Sequence, residues 1–291
     1  MFRPEKREKS LGIAIPASFI LDLHPREKTV KAGLVARAAA IFRVDDIIIY
    51  IDRYGVEGEG EWLSTILRYC ETPQYLRKRI YKISTFLRYA GLLPPLKIPS
   101  HTVSTSVNEI RNYEFREGVV VKSGDKESLV DIGFEKLYPI PRRLQKGERI
   151  TVKLIRQDDG SLKLSLSSKD EVDMYWGYNV HYNYENIVDC IRRYNADLVI
   201  ATSKYGVPIH SVLNDLINAL ANSKKILILF GAPQEGLFEI CKRFRVELSS
   251  ISHFIVNIVP SQGCETIRTE ESIFSTLSIF NLLLCLQARK R

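Results

Sequence analysis

Residues 11–20 read LGIAIPASFI, residues 28–42 read KTVKAGLVARAAAIF and residues 45–52 read DDIIIYID. The first is a short apolar run. The second has apolar residues at helical spacing and is rich in alanine, the strongest helix former. The third is a continuous β-branched run, the pattern of a strand covered on both faces. Strand, helix, strand is a βαβ unit, and it implies a parallel sheet. The same grammar returns late in the chain. DLVIATSKYG (197–206), KKILILFGAPQEG (224–236) and HFIVNIVPSQG (253–263) each read as a strand running into a polar loop. HSVLNDLINALANS (210–223) and GLFEICKRF (236–244) read as helices between them, and SIFSTLSIFNLLLCL (272–286) as the last helix. WGYNVHYNYENIVDCIRRY (176–194) reads as an aromatic-rich helical lead-in.

Two helices and a different kind of segment lie between these α/β flanks. EWLSTILRYCE (61–71) is amphipathic, and QYLRKRIYKISTFLRYAG (74–91) reads as a second helix ending at Gly91. The second carries Arg77, Lys78, Arg79, Lys82 and Arg88 beside Tyr75, Tyr81 and Tyr89. It is either a solvated basic face or a phosphate-contacting helix with rings that stack on bases. LLPPLKIPS (92–100) packs three prolines into a stiff linker. After it come EGVVVKSG, ESLVDIG, ERITVKLIRQ and SLKLSLSS, short strands separated by the turns SGDKE, QKGE and QDDG. Regular short strands of this kind predict a small antiparallel barrel, and the order of its glycine turns and basic strands resembles an OB-fold or the related S1-type module. Such barrels bind single-stranded nucleic acid on a basic, aromatic face. Arg111, Tyr113, Phe115, Arg116, Lys122, Phe134, Tyr138, Arg142 and Arg143 are its candidates; the plainer reading is a barrel that only docks to protein. The simplest organisation is one α/β domain, 1–93 with 171–291, interrupted by a barrel at 94–170.

Composition narrows the function classes. The chain has 291 residues, 45% hydrophobic and 26% charged, as in an ordinary globular protein. Its formal net charge of +8 favours polyanionic partners, nucleic acid first. The five cysteines form no CxxC pair, which argues against a disulfide scaffold and for a reducing compartment. No HExxH or Cys/His cluster suggests zinc, so no metal is expected. The N-terminal MFRPEKREKS lacks the apolar core of a signal peptide. Ile273–Leu286 is too short to span a bilayer and contains Ser275, Thr276, Ser278 and Asn281. A cytoplasmic protein without a membrane partner is expected.

The polar chemistry collects at three loops: ATSKYG, FGAPQEG and NIVPSQGCETIRTEE. Ligands of open α/β sheets bind outside the carboxyl ends of the strands. Freed backbone amides hold them there, and glycine permits close approach. Gly231 to Gly236 is G-x4-G without a following Lys-Ser/Thr, so it is not a P-loop, and no G-x-G-x-x-G is present. Thr269 reads as a helix N-cap, with Glu270 and Glu271 in the first turn. Two acids there suit a cationic guest better than a polyphosphate.

IAIPASFI with AGLVARAAAIFRVDDIIIYID, then VIATSKYGV, ILILFGAPQEGL and NIVPSQGCETIRTEESIFSTLSIFNLL, resemble the SPOUT RNA methyltransferases. More narrowly, they resemble the archaeal and eukaryotic subfamily in which a β-barrel interrupts the knotted domain. The resemblance covers most of the α/β part. It implies a deep trefoil knot, an S-adenosylmethionine pocket lined by the three loops, and a homodimer whose interface includes the last helix. Carried over by motif position, Thr202, Ser203 and Gly206 form the first wall and Gly231, Glu235 and Gly236 the second. Asn257, Ile258 and Val259 offer backbone contacts to the adenosine, with Gly263 and Thr266 closing the third loop. Tyr205, after Lys204, stands where some relatives carry a basic residue.

The implied activity is methylation of RNA, ribosomal RNA above all, on a base such as uridine N3 rather than on the ribose. Transfer from a sulfonium needs in-line alignment, and the acceptor must lose a proton. Arg268, Glu265 and Glu270 are the catalytic candidates in the third loop, with an ion pair and helix-end charges as the plainer reading. Arg37, Arg77, Lys78, Arg116, Lys122, Arg142 and Arg143 are the RNA-contact candidates. Cys264 reads as a passive loop residue. The other function class is a non-catalytic RNA-binding or ribosome-assembly factor that keeps the fold, for which the basic barrel and the QARKR tail speak.

Overall fold

The computed structural model describes residues 3–103, 110, 113–157 and 161–288. Arg111, most of the QDDG turn and the last three residues of the QARKR tail lie outside them. In chain order the first elements are β1 (Ser10–Pro16), α1 (Pro25–Ile41), β2 (Asp46–Tyr50), α2 (Glu57–Glu71) and α3 (Gln74–Ile80). There follow β3 (Tyr113–Ser123), β4 (Ser128–Asp131), β5 (Tyr138–Ile140), β6 (Arg149–Arg156), β7 (Leu162–Ser167) and β8 (Asn179–His181). The rest are α4 (Ile187–Tyr194), β9 (Leu198–Pro208), α5 (Leu213–Asn222), β10 (Lys225–Leu229), α6 (Leu237–Arg243), α7 (Leu248–Ile251), β11 (Phe254–Asn257) and α8 (Thr269–Ala288). The chain divides into two compact units. One is Met1–Lys6, Tyr69–Leu87 and Leu96–Gly177; the other is Arg7–Arg68, Arg88–Pro95 and Tyr178–Arg291.

The second unit is built on a six-stranded sheet in the order β11-β9-β10-β1-β2-β8, with every neighbouring pair parallel. β2 and β10 are buried over four of their five residues, as their uninterrupted apolar sequences demand. Helix α1 starts with Pro25, and the His24 ring accepts from Arg26 N at 3.2 Å. It buries alanines and Gly33, where a Cβ would strike Pro94 Cδ at 2.7 Å. The carboxamide of Asn186 caps α4 by accepting from the amides of Val188 and Asp189, and Asn195 ends it in the left-handed conformation. Ala14, Ile48, Tyr50, Val199, Leu227, Leu229, Leu237 and Ile240 share one core cluster. α8 is 20 residues long, so length and composition alone would let it cross a membrane. Ile273, Thr276, Leu277, Phe280, Leu283 and Leu284 are nonetheless buried along it, as in a core helix.

The first unit holds a five-stranded antiparallel sheet in the order β5-β4-β3-β6-β7, curled until β5 approaches β7. Val120, Val130, Ile132, Ile150, Val152, Leu154 and Leu164 fill it. A charged hub lies beside this core. Glu117, 1% exposed, accepts from Arg149 Nε at 2.7 Å, Thr151 Oγ1 at 2.8 Å and Trp176 Nε1 at 2.7 Å. Glu71, 3% exposed, accepts from Arg149 Nη1 at 2.5 Å and Lys169 Nζ at 3.3 Å. Arg149 thus binds two buried carboxylates at once.

Several elements differ from the sequence reading. The helix begun at Gln74 stops at Ile80, not Gly91. Tyr81 is extended (φ −106°, ψ 124°); its ring packs edge-on against Tyr69, with its hydroxyl 3.3 Å from Thr72 Oγ1. That tertiary contact draws Tyr81 off the helix. The lead-in 176–194 is helical only from Ile187, because Tyr178 and Tyr182 are anchored by hydroxyl bonds to Leu67 O and Glu57 O around β8. β5 and α7 are additional short elements. Thr269 is the first helical residue of α8 rather than its cap.

Candidate functional site

The site lies at the carboxyl edge of the parallel sheet, where β9, β10 and β11 end. β9 and β11 are parallel, but Ile255 pairs with Ala201 and Val256 with Val207. Residues 202–206 are therefore looped out of the pairing, which is how the polar ATSKYG run sits inside a strand. Gly206 is pressed on the partner strand: a Cβ there would lie 2.7 Å from the Val256 carbonyl carbon. The neighbouring Thr202 is buried and donates to Leu229 O at 2.9 Å, binding the excursion to β10.

The second loop follows β10. The buried Tyr50 hydroxyl donates to Phe230 O at 2.6 Å and fixes where the strand lets go. Ala232 N donates to Glu235 O at 2.9 Å and closes the turn. Arg243 Nη2 donates to both Glu235 carboxylate oxygens, at 2.8 and 2.6 Å, and Arg53 stands 3.5 Å away. Arg243 Nη1 also donates to Asp52 O at 2.9 Å. The buried Asp52 carboxylate in turn accepts from Ser18 N and Oγ. The ends of β1, β2 and β10 are thereby joined beneath the loop.

The third loop follows β11 and is tied to both others. Asn257 Nδ2 donates to Lys204 O at 3.1 Å, while its Oδ1 accepts from Val259 N at 3.0 Å. Gln262 Nε2 donates to Cys264 O at 2.7 Å and Glu265 O at 3.0 Å. Thr269 Oγ1 donates to Gly231 O at 3.1 Å, and Arg268 N donates to Glu271 Oε2 at 2.9 Å, half of a capping box.

These loops enclose a cleft of about 310 Å³. It is lined by Thr202, Ser203, Gly231, Glu235, Gly236, Asn257, Ile258, Val259 and Thr266 among the residues singled out in the sequence. Gly206 and Gly263 are not in the lining; Gly206 shapes the strand behind it, and a Cβ on Gly263 would meet nothing within 4 Å. Lys204, Tyr205, Phe230, Gln234, Glu239, Gln262, Ile267, Thr269 and Ser272 also line it. Of these, Lys204, Tyr205 and Thr269 were named in the sequence reading, Gln234, Gln262 and Ile267 were marked only by the loop that carries them, and Glu239 and Ser272, on helices α6 and α8, were not marked. Ile258, Val259 and Ile267 provide an apolar wall for a flat ring, with the buried Phe230 behind it, and the loop backbones provide polar groups beside it. The charged lining is Glu235, Glu239 and a single lysine, Lys204. With Glu235 held by Arg243 and Arg53, Glu239 and Lys204 are the charges left to face a ligand, a near-neutral lining that admits a nucleoside carrying a sulfonium and does not suit a polyphosphate.

The catalytic candidates separate. Glu265 and Arg268 are exposed on the third loop, outside the lining. Glu270 is 6% exposed, 3.3 Å from Lys31 Nζ, and does not line the cleft. Its place in the first turn of α8 suits the helix dipole.

The RNA-contact candidates divide as well. Lys78, Lys122, Arg142 and Arg143 are exposed, the last 3.7 Å from Asp125. Arg116 is fully buried, between the rings of Tyr75 and Phe134 at 4.9 and 4.3 Å, and near Glu114. Cation–π contact takes the place of solvent there. Arg77 stacks on Tyr69 and donates to the carbonyls of Thr72 and Cys70, closing the end of α2. Arg37 donates to Pro95 O at 3.1 Å.

Comparison with known proteins converges on one description. Residues 10–280 match the model of a family described as "Putative RNA methyltransferase". The chain is 33% identical over 309 residues to the 28S rRNA (uridine-N(3))-methyltransferase of Homo sapiens, covering 94% of this chain and 78% of that protein. The Mus musculus protein of the same name is 33% identical, with 94% and 76% covered. The Drosophila melanogaster protein is 31% identical, with 92% and 61% covered, so the chain spans less than two thirds of that relative.

Proposed function

The chain belongs to this RNA methyltransferase family, and on that premise we propose that it transfers a methyl group from S-adenosylmethionine to ribosomal RNA, at N3 of a uridine. The observation that carries the reading is the three-loop cleft, in a chain whose family match runs through every element that builds it. The names of the relatives supply the substrate, large-subunit rRNA, and the atom.

The donor, when bound, supplies an electrophilic methyl on a sulfonium. The loop backbones at Gly231, Ile258 and Val259 hold its adenosine, and Phe230 and Ile267 exclude water around it. Asn257 keeps the first and third loops in register, and would thereby hold fixed the walls between which donor and acceptor are aligned. Uridine N3 must give up its proton. Arg268 stabilises the charge that develops on the base, and Glu265 receives the proton, both from the exposed side of the third loop.

The same reading covers the knotted SPOUT fold, an RNA-binding role for the OB-like barrel at 94–170, and a homodimer through α8. All-parallel pairing, with β9 between β11 and β10, supports the knot. Exposed Lys122, Arg142 and Arg143 support the barrel's role. Leu282 and Leu286, 58% and 48% exposed, support an interface on α8. The five unpaired cysteines support the cytoplasm as its compartment.

The test is methyl transfer to unmodified large-subunit rRNA with radiolabelled donor, followed by nucleoside chromatography. Label in N3-methyluridine, lost in Arg268→Ala and Asn257→Ala, is the expected result. Label in a 2′-O-methyl nucleoside refutes the atom. Donor binding by a folded protein without any transfer replaces the enzyme with an RNA-binding assembly factor.

A further inference from the structure

The outer face of the barrel carries a feature that the cleft does not use. Tyr113 lies opposite Ile155 and Phe115 opposite Lys153 across the β3–β6 pair. Lys153 lies opposite Ser165 and Ile155 opposite Lys163 across β6–β7. Directly opposed residues share a face, so these six side chains form one strip over three strands. The alternate residues Val152, Leu154 and Leu164 point into the core.

The strip has three properties together. Its rings are braced: Tyr113 meets Phe115 edge-on with centroids 6.0 Å apart, and Phe115 meets the buried Trp176 at 6.4 Å. Its outermost ring is open to solvent, with Tyr113 47% exposed. Its charge is of one sign. Lys153 Nζ sits 4.7 Å from the Tyr113 centroid and 5.8 Å from that of Phe115, and Lys163 is exposed beside it. Among the described residues, none of the six side chains of the strip is a carboxylate, and Glu117, next along β3, is buried in the hub.

We propose that this strip binds single-stranded RNA, with an unpaired base stacked on Tyr113 and the neighbouring phosphates on Lys153 and Lys163. The proposal rests on the reading of the chain as an RNA-modifying enzyme and names the form of RNA its barrel takes. A braced, exposed ring is a stacking platform, and only an unpaired base offers it a free face. An ammonium parked over aromatic rings rather than on a carboxylate keeps its charge for a phosphate. The same lysines would not select a duplex, whose bases are already stacked.

The experiment is fluorescence anisotropy with an oligouridylate of about 12 nucleotides and an RNA duplex of the same length, over a series of KCl concentrations. The wild type is expected to prefer the single strand. Tyr113→Ala and the bulkier Tyr113→Leu weaken that binding by about 5- to 100-fold, whereas Tyr113→Trp retains it. Lys153→Gln lowers the slope of log affinity against log salt by about 0.7. Thermal melts establish that each variant is folded. Unchanged affinity in folded Tyr113→Ala and Tyr113→Leu, or equal affinity for duplex, overturns the proposal. Parallel calorimetry with S-adenosylmethionine separates it from the enzymatic reading. Tyr113-dependent RNA binding without donor binding leaves the strip and removes the enzyme; donor binding without it does the reverse.

Discussion

Gly206→Ala is the smallest change that should disable the cleft. The added methyl would lie 2.7 Å from the Val256 carbonyl carbon and 2.8 Å from both the carbonyl carbon and the oxygen of Ile255. Comfortable contacts between such atoms start near 3.5 Å, so the two strands must part by roughly 0.7 Å. All three atoms are backbone, and no side chain can rotate away. The strand that gives carries Asn257, whose amide joins Lys204 to Val259. Overpacking of this kind costs about 1–3 kcal/mol. Charged wholly to the binding-competent arrangement of the loops, that is about 5- to 150-fold in donor affinity. Calorimetric titration with S-adenosylmethionine measures it, with Gly263→Ala as the control, because a Cβ there meets nothing within 4 Å. Donor affinity in folded Gly206→Ala equal to that of the wild type would refute the reasoning. An equal loss in Gly263→Ala would show that bulk at the mouth, not strand spacing, matters.

Two predictions concern the barrel unit. Arg149→Met leaves Glu71 and Glu117 buried without their shared cation and should cost about 3–5 kcal/mol in denaturant unfolding. Neutralising both acids in the same chain should recover part of that; a loss below about 1 kcal/mol would mean that the hub is hydrated. His101 donates from Nε2 to Glu71 O at 2.7 Å, and burial holds its pKa below the ordinary 6.5. The unfolded chain therefore takes up the proton first. The stability from this group is full above pH 6.5 and falls as the pH drops through the folded value. His101→Gln keeps a donor without the titration, and its melting temperature should decline less than that of the wild type between about pH 7 and pH 5; parallel declines would count against the assignment.

The sheet was legible wherever strands are buried on both sides. β1, β2, β10 and the first half of β9 announce themselves as apolar runs, because a covered strand has no solvent face to encode; edge strand β11 is only half-buried and reads from its short FIV run. β8 does not. Its Asn179 and His181 are polar, and its place depends on their bonds to Asp46, at 3.3 and 2.7 Å. Such partners, far away in the chain, leave no periodicity to read. The burial of Arg116 was illegible for the same reason: a charged residue in a basic segment looks solvated until Tyr75 and Phe134 close over it. The loops of the cleft were legible from glycine and polarity at strand ends. The inward residues Phe230, Glu239 and Ser272 were not, since their role comes from how three separate loops meet.

The strand order has a consequence for biosynthesis. β1 is central, flanked by β2 and β10, and Ser10 pairs with Lys225. A ribosome releases β1, α1 and β2 early, and one edge of β1 then waits for a partner made roughly two hundred residues later, a contact of long sequence separation and slow closure. The barrel strands are contiguous by comparison and can pair while the rest is still being translated. Until β10 arrives, the nascent chain displays an apolar edge that invites the wrong neighbour. Truncation anywhere before Lys225 should therefore yield an aggregating product, not a smaller working enzyme.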